Sequence, residues 1–214
     1  MNQDASITTI KNWLGTGSIN IFGLPLSGKD TVGLRLAETL GGKFISSGHI
    51  LRSVQTEDRT LSAELDSGAL VSPDTFRNLI LPYFSRPDLQ PYPLVLGSVG
   101  RWSGEEQSVI AAAESANHPI RAVILLNISE ADIQTRWEQS RILQDRGPRA
   151  DDRDRKVLTT RISEFRTKTM PIIQVYRNLG LLLPVNADQA KDAVFAEVIQ
   201  KLEQFAIAQQ DQQI

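Results

Sequence analysis

The residues best suited to chemistry stand in one stretch, Gly23-Leu24-Pro25-Leu26-Ser27-Gly28-Lys29-Asp30-Thr31. Glycines in such a run let the backbone curl around an anion, and a lysine adds a mobile positive charge. Residues 19–22 before it are a short apolar run that reads as a buried strand. Residues 32–40 after it are apolar at helical spacing. The stretch therefore joins a strand to a helix N-terminus, where converging N–H groups and the helix dipole favour an anion. Phosphate binding is the expected chemistry. The strict phosphate-loop pattern has Ser or Thr directly after the lysine. Here Asp30 intervenes and the hydroxyl comes at Thr31. A glycine-rich turn alone is often only a turn; the lysine and the hydroxyl make this one more specific.

A second set of candidates is cationic. The chain has 16 arginines and 7 lysines, and eight of the arginines lie between Arg136 and Arg166. A guanidinium is a planar fork that grips phosphate oxygens in pairs. Six acidic residues share that segment, so a solvated, salt-bridged helix face is the alternative. The phosphate loop tips the reading toward a second phosphate-gripping element. The net charge of −2 argues against a general binder of nucleic-acid polymers. Cysteine is absent and there are two histidines, His49 and His118. Disulfides, thiolate nucleophiles and multi-histidine metal sites are thereby set aside, and no protein-held metal site is expected.

The elements that must position these residues can be read in order. A length of 214 residues suits one domain. Residues 1–18 read as an N-terminal helical appendage, with Ile7, Ile10, Trp13 and Leu14 at helical spacing. A helix packed on the domain is the plain expectation, and a partner-binding helix the alternative. The main domain spans 19–208, and 209–214 form a polar tail. Strands are expected at 19–22, 43–46, 94–96, 122–126 and 181–185. Helices are expected at 32–40, from His49, at 60–65, 75–84, 105–117, 130–141, 152–168, 170–178 and 188–208. Ser72-Pro73-Asp74 supplies a cap with proline in the first turn. Trp137 is expected in the core. Five short apolar strands alternating with helices predict an α/β fold with a five-stranded parallel sheet covered on both faces. In such sheets ligands sit beyond the carboxyl ends of the strands. Lys29, then Ser47 and Arg52, then Arg101 follow the first three strands, so three polar loops converge on one edge. No run approaches the roughly 18 apolar residues of a membrane span. The first 18 residues lack the basic start and apolar core of a signal peptide. A cytoplasmic protein, away from membranes, is expected.

These pieces, in order, resemble the adenylate kinase family of nucleoside monophosphate kinases over roughly residues 19–205. The loop at 23–31 resembles G-x-P-G-x-G-K-G-T. Ile45-Ser46-Ser47-Gly48-His49-Ile50-Leu51-Arg52 resembles I-S-T-G-D-x-L-R. Gly68-Ala69-Leu70-Val71-Ser72-Pro73-Asp74 resembles G-x-L-V-P-D with one insertion, and Gly97-Ser98-Val99-Gly100-Arg101 falls where the family has D-G-F-P-R. Arg149-Ala150-Asp151-Asp152, then Arg161 and Phe165, resembles the lid hinge. Pro171 to Tyr176, with Gly180-Leu181, resembles P-L-I-x-Y-Y…G-x-L.

The resemblance implies a three-layer sandwich of the P-loop nucleoside triphosphate hydrolase type and ATP-dependent phosphoryl transfer to a nucleoside monophosphate, AMP first. Leu26, Ser27, Gly28, Lys29, Asp30 and Thr31 would hold the ATP phosphates, with Mg²⁺ accompanying ATP. Arg136, Arg141 and Gln189 would border the rest of that nucleotide. Ser47, Arg52 and Arg101 would hold the monophosphate, with the backbone at Ala69, Leu70, Val71, Ser98, Val99 and Gly100 beside its base. Gln107 takes the place of the base-reading glutamine, two residues late, a neighbouring glutamate being the other candidate. Residues 47–75 would form the acceptor-binding insert and 142–150 a short lid. Arg149 and Arg161, counted also with the monophosphate contacts, would close with Lys29, Arg101 and Arg141 on the transferring phosphoryl group. The departures are Leu26 and Asp30 for loop glycines, His49 for an aspartate, and Gly97 for the acidic residue that organises Mg²⁺ water. They leave open UMP, CMP or another small acceptor, or a catalytically weak nucleotide-binding regulator. The partners implied are ATP and a nucleoside monophosphate, and a monomer is expected.

Overall fold

The computed structural model describes residues 3–54, 70–143 and 154–211, and within 52–54 and 140–143 the backbone alone. Five strands form one sheet: β1 (Ser18–Gly23), β2 (Lys43–Ser46), β3 (Leu94–Gly97), β4 (Ile120–Asn127) and β5 (Leu182–Asn186). Their order is β2-β3-β1-β4-β5, and all four neighbouring pairs are parallel. The expected parallel sheet is therefore present, with strand ends shifted by a residue or two. β1 and β3 are buried at every position, as strands covered on both faces must be.

Alternation along the strands divides the core in two. Ile19, Ile21, Ile124 and Leu126 face one layer; Phe22, Val123 and Leu125 face the other. The first layer holds α1 (Gln3–Leu14), α2 (Lys29–Leu40), α6 (Glu130–Leu143), α7 (Arg155–Glu164) and α9 (Lys191–Asp211). The second holds α3 (Ser47–Val54), α4 (Pro73–Leu79), α5 (Glu105–Ser115) and α8 (Met170–Asn178). Trp137 lies in the first core, as its helical spacing implies.

Two helices end or bend where proline dictates. The helix expected at 75–84 stops at Leu79 and continues as a 3-10 turn, Leu81–Ser85. Pro82 has no N–H for the ladder, and its ring collides with the carbonyl four residues back. Ser72 caps α4 by accepting from the Thr75 N–H at 3.1 Å. The long helix after 152 becomes a π turn, Phe165–Thr169, before α8, and the Met170 N–H reaches the Phe165 carbonyl. Pro171 again removes a donor, and the wider turn gives its ring room. At the other end of the chain, α9 runs to Asp211, into the expected polar tail.

α1 is stitched into the first core. Ile10 and Leu14 are fully buried, and Trp13 meets Phe205 of α9 edge-on, 5.7 Å between centroids. Among the described residues no helix is long and apolar enough to cross a membrane. Truncating a buried isoleucine removes its transfer free energy and leaves a cavity. Ile10→Ala is therefore expected to lower stability by about 2–4 kcal/mol, read from urea unfolding; a loss below about 1 kcal/mol would mean that α1 does not anchor in the core.

Candidate nucleotide and acceptor site

The phosphate loop joins β1 to α2 as its sequence predicts. Gly28 is the left-handed N-cap of α2, and the loop closes with Ser27 N–H donating to the Leu24 carbonyl at 3.1 Å. Leu26 has φ +66°, a conformation that costs a branched residue about 1–2 kcal/mol. Its side chain compensates by joining the first core. Burying a leucine contributes about 1.5–3 kcal/mol, enough to hold the strained turn. Lys29 and Asp30 begin α2, with Nζ 3.6 Å from Oδ1. Asp30 sits in the first turn, where the helix dipole favours a carboxylate.

A cavity of about 450 Å³ opens beside this loop, within the size range of small-molecule sites. Gly28, Thr31, Arg35, Arg136, Gln189 and Phe195 are among its walls. Arg136 donates from Nη1 to the Leu26 carbonyl at 3.2 Å and from Nη2 to the Ala187 carbonyl. It thus braces the phosphate loop against the segment after β5. Gln189 Nε2 donates to the Asn186 carbonyl at 2.9 Å and to Glu197 Oε2 at 2.6 Å.

The acceptor-side loops are tied to the same edge. In the middle of β1, Asn20 is fully buried; its Nδ2 donates to the Val99 carbonyl at 2.7 Å and its Oδ1 accepts from the Val99 N–H at 3.2 Å. Ser98, at φ +54°, donates its N–H to the Ile21 carbonyl at 2.9 Å. Its own carbonyl accepts from Ser47 Oγ at 3.0 Å. The loops after β2 and β3 are therefore tied to each other and to strand β1, and Gly100 and Arg101 follow directly. The position that the resemblance fills with an acidic residue, Gly97, has no room for one. A Cβ there would lie 2.8 Å from the Ser46 Cβ and 2.9 Å from the Phe44 ring, and the same ring covers Gly33.

Charge converges on Arg101. Burial lowers its pKa to about 10, with repulsion from Arg161 adding to the effect and Glu164 and Glu105 opposing it. Its Nε is buried with no hydrogen-bond partner. Glu105 Oε2 accepts from the Arg101 and Trp102 N–H groups at 2.6 and 2.9 Å, capping the turn into α5. Arg101 and Arg161, which the sequence separates by sixty residues, face one another electrostatically. Gln107 is exposed on α5, whereas Glu105 and Glu106 are buried. The buried carboxylate, rather than the glutamine, thus stands against Arg101. The side chains of Arg52 and Arg141, and Ala69, Arg149, the 60–65 helix and residues 144–150 of the lid, lie outside the described residues. Asn20, Phe44 and Trp102 border the candidate site and were passed over by sequence reasoning, which considers Glu105 only as an alternative to Gln107. For Asn20 the signal was available, a polar residue inside an apolar strand.

A strand, phosphate loop and helix at the centre of this parallel sheet define a P-loop kinase fold. A family model described as an AAA domain matches residues 22–158. A gluconokinase from Sinorhizobium meliloti shares the fold, with a TM-score of 0.63 at 19% identity over 92% of this chain and 98% of that one. An adenylate kinase from Mycolicibacterium smegmatis is 32% identical over 194 residues, covering 86% of this chain and 98% of that protein. One from Mycobacterium tuberculosis is 31% identical over 186 residues, and one from a Synechococcus strain 28% over 185. The chain belongs to the adenylate kinase family, as a divergent, kinase-type member.

Burial raises the Glu105 carboxyl above its ordinary 4.5, while the hydrogen bonds from Trp102 and Arg101 and the charge of Arg101 pull the other way. The folded state then holds a proton that the unfolded state has released, so stability contributed by this group falls as pH rises through that window. Glu105→Gln abolishes this titration. The stability of Glu105→Gln relative to wild type should therefore increase from about pH 4.5 upward toward neutrality, measured by urea unfolding at a series of pH values. A difference that stays flat or declines over that range would contradict a carboxyl raised by burial.

Proposed function

We propose that this protein transfers the terminal phosphoryl group of ATP to a nucleoside monophosphate, with AMP the first choice of acceptor. One observation carries the reading: the phosphate loop bearing Lys29 and the half-buried Arg101, with Arg161 beside it, stand at one edge of a single parallel sheet. Phosphoryl transfer needs little covalent chemistry from the protein. It needs two anionic reactants aligned and their developing charge met by fixed cations. The cavity beside Gly28 and Thr31 would take the donor nucleoside, with Lys29 on its phosphates. Arg101 and Arg161, with Arg52, Arg141 and Arg149, would hold the acceptor phosphate and the group in flight. Ser47 is already committed to Ser98, so its part would be to place that loop.

Mg²⁺ would arrive with ATP and spread the charge on its phosphates. Among the described residues no cluster of three or more His, Cys, Asp or Glu could hold a metal by itself. The oxygens this chain offers in the first turn of α2 are the Thr31 hydroxyl and the Asp30 carboxylate; Gly97 offers none. The Phe44 ring that fills the space at Gly97 favours a second reading, a catalytically weakened nucleotide-binding regulator. The fold shared with a gluconokinase keeps other small acceptors in view, UMP and CMP included. A cytoplasmic monomer is part of the proposal.

The test is product formation from Mg-ATP with AMP, UMP, CMP, GMP, dTMP and gluconate supplied separately. Conversion of one monophosphate to its diphosphate is expected, and Lys29→Ala should lower kcat/KM by about a hundredfold or more. ATP binding by wild type without turnover of any acceptor would sink the kinase reading in favour of the regulator.

A further inference from the structure

Next to Arg101 stands a contact set that phosphoryl transfer does not itself require. Trp102 Nε1 donates to the Val71 carbonyl at 2.9 Å. The ammonium of Lys168, in the π turn, lies 3.9 Å from the centre of the same indole. Lys168 also pairs with Glu164 at 2.5 Å, and Glu164 Oε2 accepts from the Leu70 N–H at 3.3 Å. From the other side, Thr169 Oγ1 donates to the Arg101 carbonyl at 3.3 Å, and Thr169 is fully buried. Three segments distant in sequence are thus joined around one aromatic ring: 70–71 before α4, 101–102 after β3, and 164–169 from the end of α7 through the π turn.

We propose that Trp102 is a positioning residue of the acceptor site, a latch that holds the 70–71 segment against Arg101 and the π turn so that the acceptor pocket keeps its width. The inference rests on the acceptor reading proposed above. Its physical basis is specific. The Val71 carbonyl and the Leu70 N–H belong to the backbone expected to border the acceptor base, and both are already satisfied, by Trp102 and Glu164. A half-buried indole beneath an ammonium adds a contact that is stronger where water is partly excluded. The lysine is held in place by its own carboxylate partner one helical turn earlier. The π turn supplies the geometry, since an extra residue in a helical turn re-aims the side chains around it. Arg161 lies three residues before Glu164 on α7, so the same helix carries a cation toward Arg101 and a carboxylate toward Leu70. Without the indole, Val71 loses its tie and the segment hangs on the Leu70–Glu164 bond alone, so Arg101 remains charged but faces a looser wall.

The test uses wild type, Trp102→Phe and Trp102→Ala. Phe keeps a ring under Lys168 and loses the bond to Val71; Ala loses both. In the free protein, hydrogen–deuterium exchange of peptides covering 70–79 should be about tenfold faster in Trp102→Ala, with β1 and β4 unchanged. With the monophosphate that wild type uses, the acceptor KM should rise about five- to tenfold in Trp102→Ala and less in Trp102→Phe. The KM for ATP and kcat should stay within about twofold. Unchanged exchange at 70–79, or an equal rise in both KM values, overturns the proposal. A wild type that phosphorylates no monophosphate sinks the function reading and the acceptor role of Trp102 with it. Faster exchange in that case would leave the tie itself standing, so the two failures are told apart.

Discussion

A single buried amide sets the frame for the site. Asn20 occupies the middle of the central strand, between Ile19 and Ile21, and it spends both ends of its amide on the backbone of Val99. A carboxamide left unpaired in such surroundings costs about 1–3 kcal/mol, so the loop after β3 is held wherever it can satisfy Asn20. That loop carries Arg101. The strand that carries Asn20 runs directly into the phosphate loop and Lys29. The spacing between the two charged ends of the site therefore depends on one side chain that belongs to neither. Ser98 and Ser47 extend the same constraint to the loop after β2.

Within this frame the charges are arranged before any ligand arrives. Arg101 is buried deeply enough to lower its pKa to about 10, Arg161 pushes in the same direction, and Glu105 and Glu164 oppose them. Such a guanidinium is poorly solvated and favours an anion that restores its missing partners. On the donor side, Arg136 serves first as a brace, joining Leu26 to the segment after β5. Leu26 is held left-handed both by that bond and by its own burial. A loop that glycine would form without strain is here formed by a leucine anchored at both ends.

The departures from the family pattern fall into two physical kinds. Leu26 and Asp30 change the phosphate loop but find local compensation, the first in the core and the second in the helix dipole. Gly97 is different, because the volume that a side chain would need is filled by the Phe44 ring and Ser46. The change at 97 and the aromatic at 44 are one packed unit, as is the ring's cover over Gly33. Neighbouring positions that share a volume are expected to act non-additively, so neither residue has a meaning apart from the other.

Much of this molecule was legible in the sequence. Each strand reads as a short apolar run because both faces of a parallel sheet are covered, and a strand so placed has no polar alternation to obscure it. The phosphate loop is local, with its glycines, lysine and hydroxyl contiguous, so its chemistry and its place between β1 and α2 follow from residue order alone. Proline positions mattered too: Pro82 ends a helix that was expected to run through it, whereas at Pro171 the expected break is a π turn that carries the helix through. What residue order could not decide was which distant side chains meet. Which face of α5 is buried is one example, and burial put Glu105 against Arg101 and left Gln107 exposed. The exclusion of a side chain at 97 depended on a ring from the neighbouring strand, and the hydrogen bond of the Trp102 indole on a carbonyl thirty-one residues away. Sequence by itself determined the elements and the phosphate loop, because those arise from local periodicity and local hydrogen bonding. Tertiary structure decided the pairings of buried polar groups, because desolvation makes each such group depend on a partner that only the folded chain brings near.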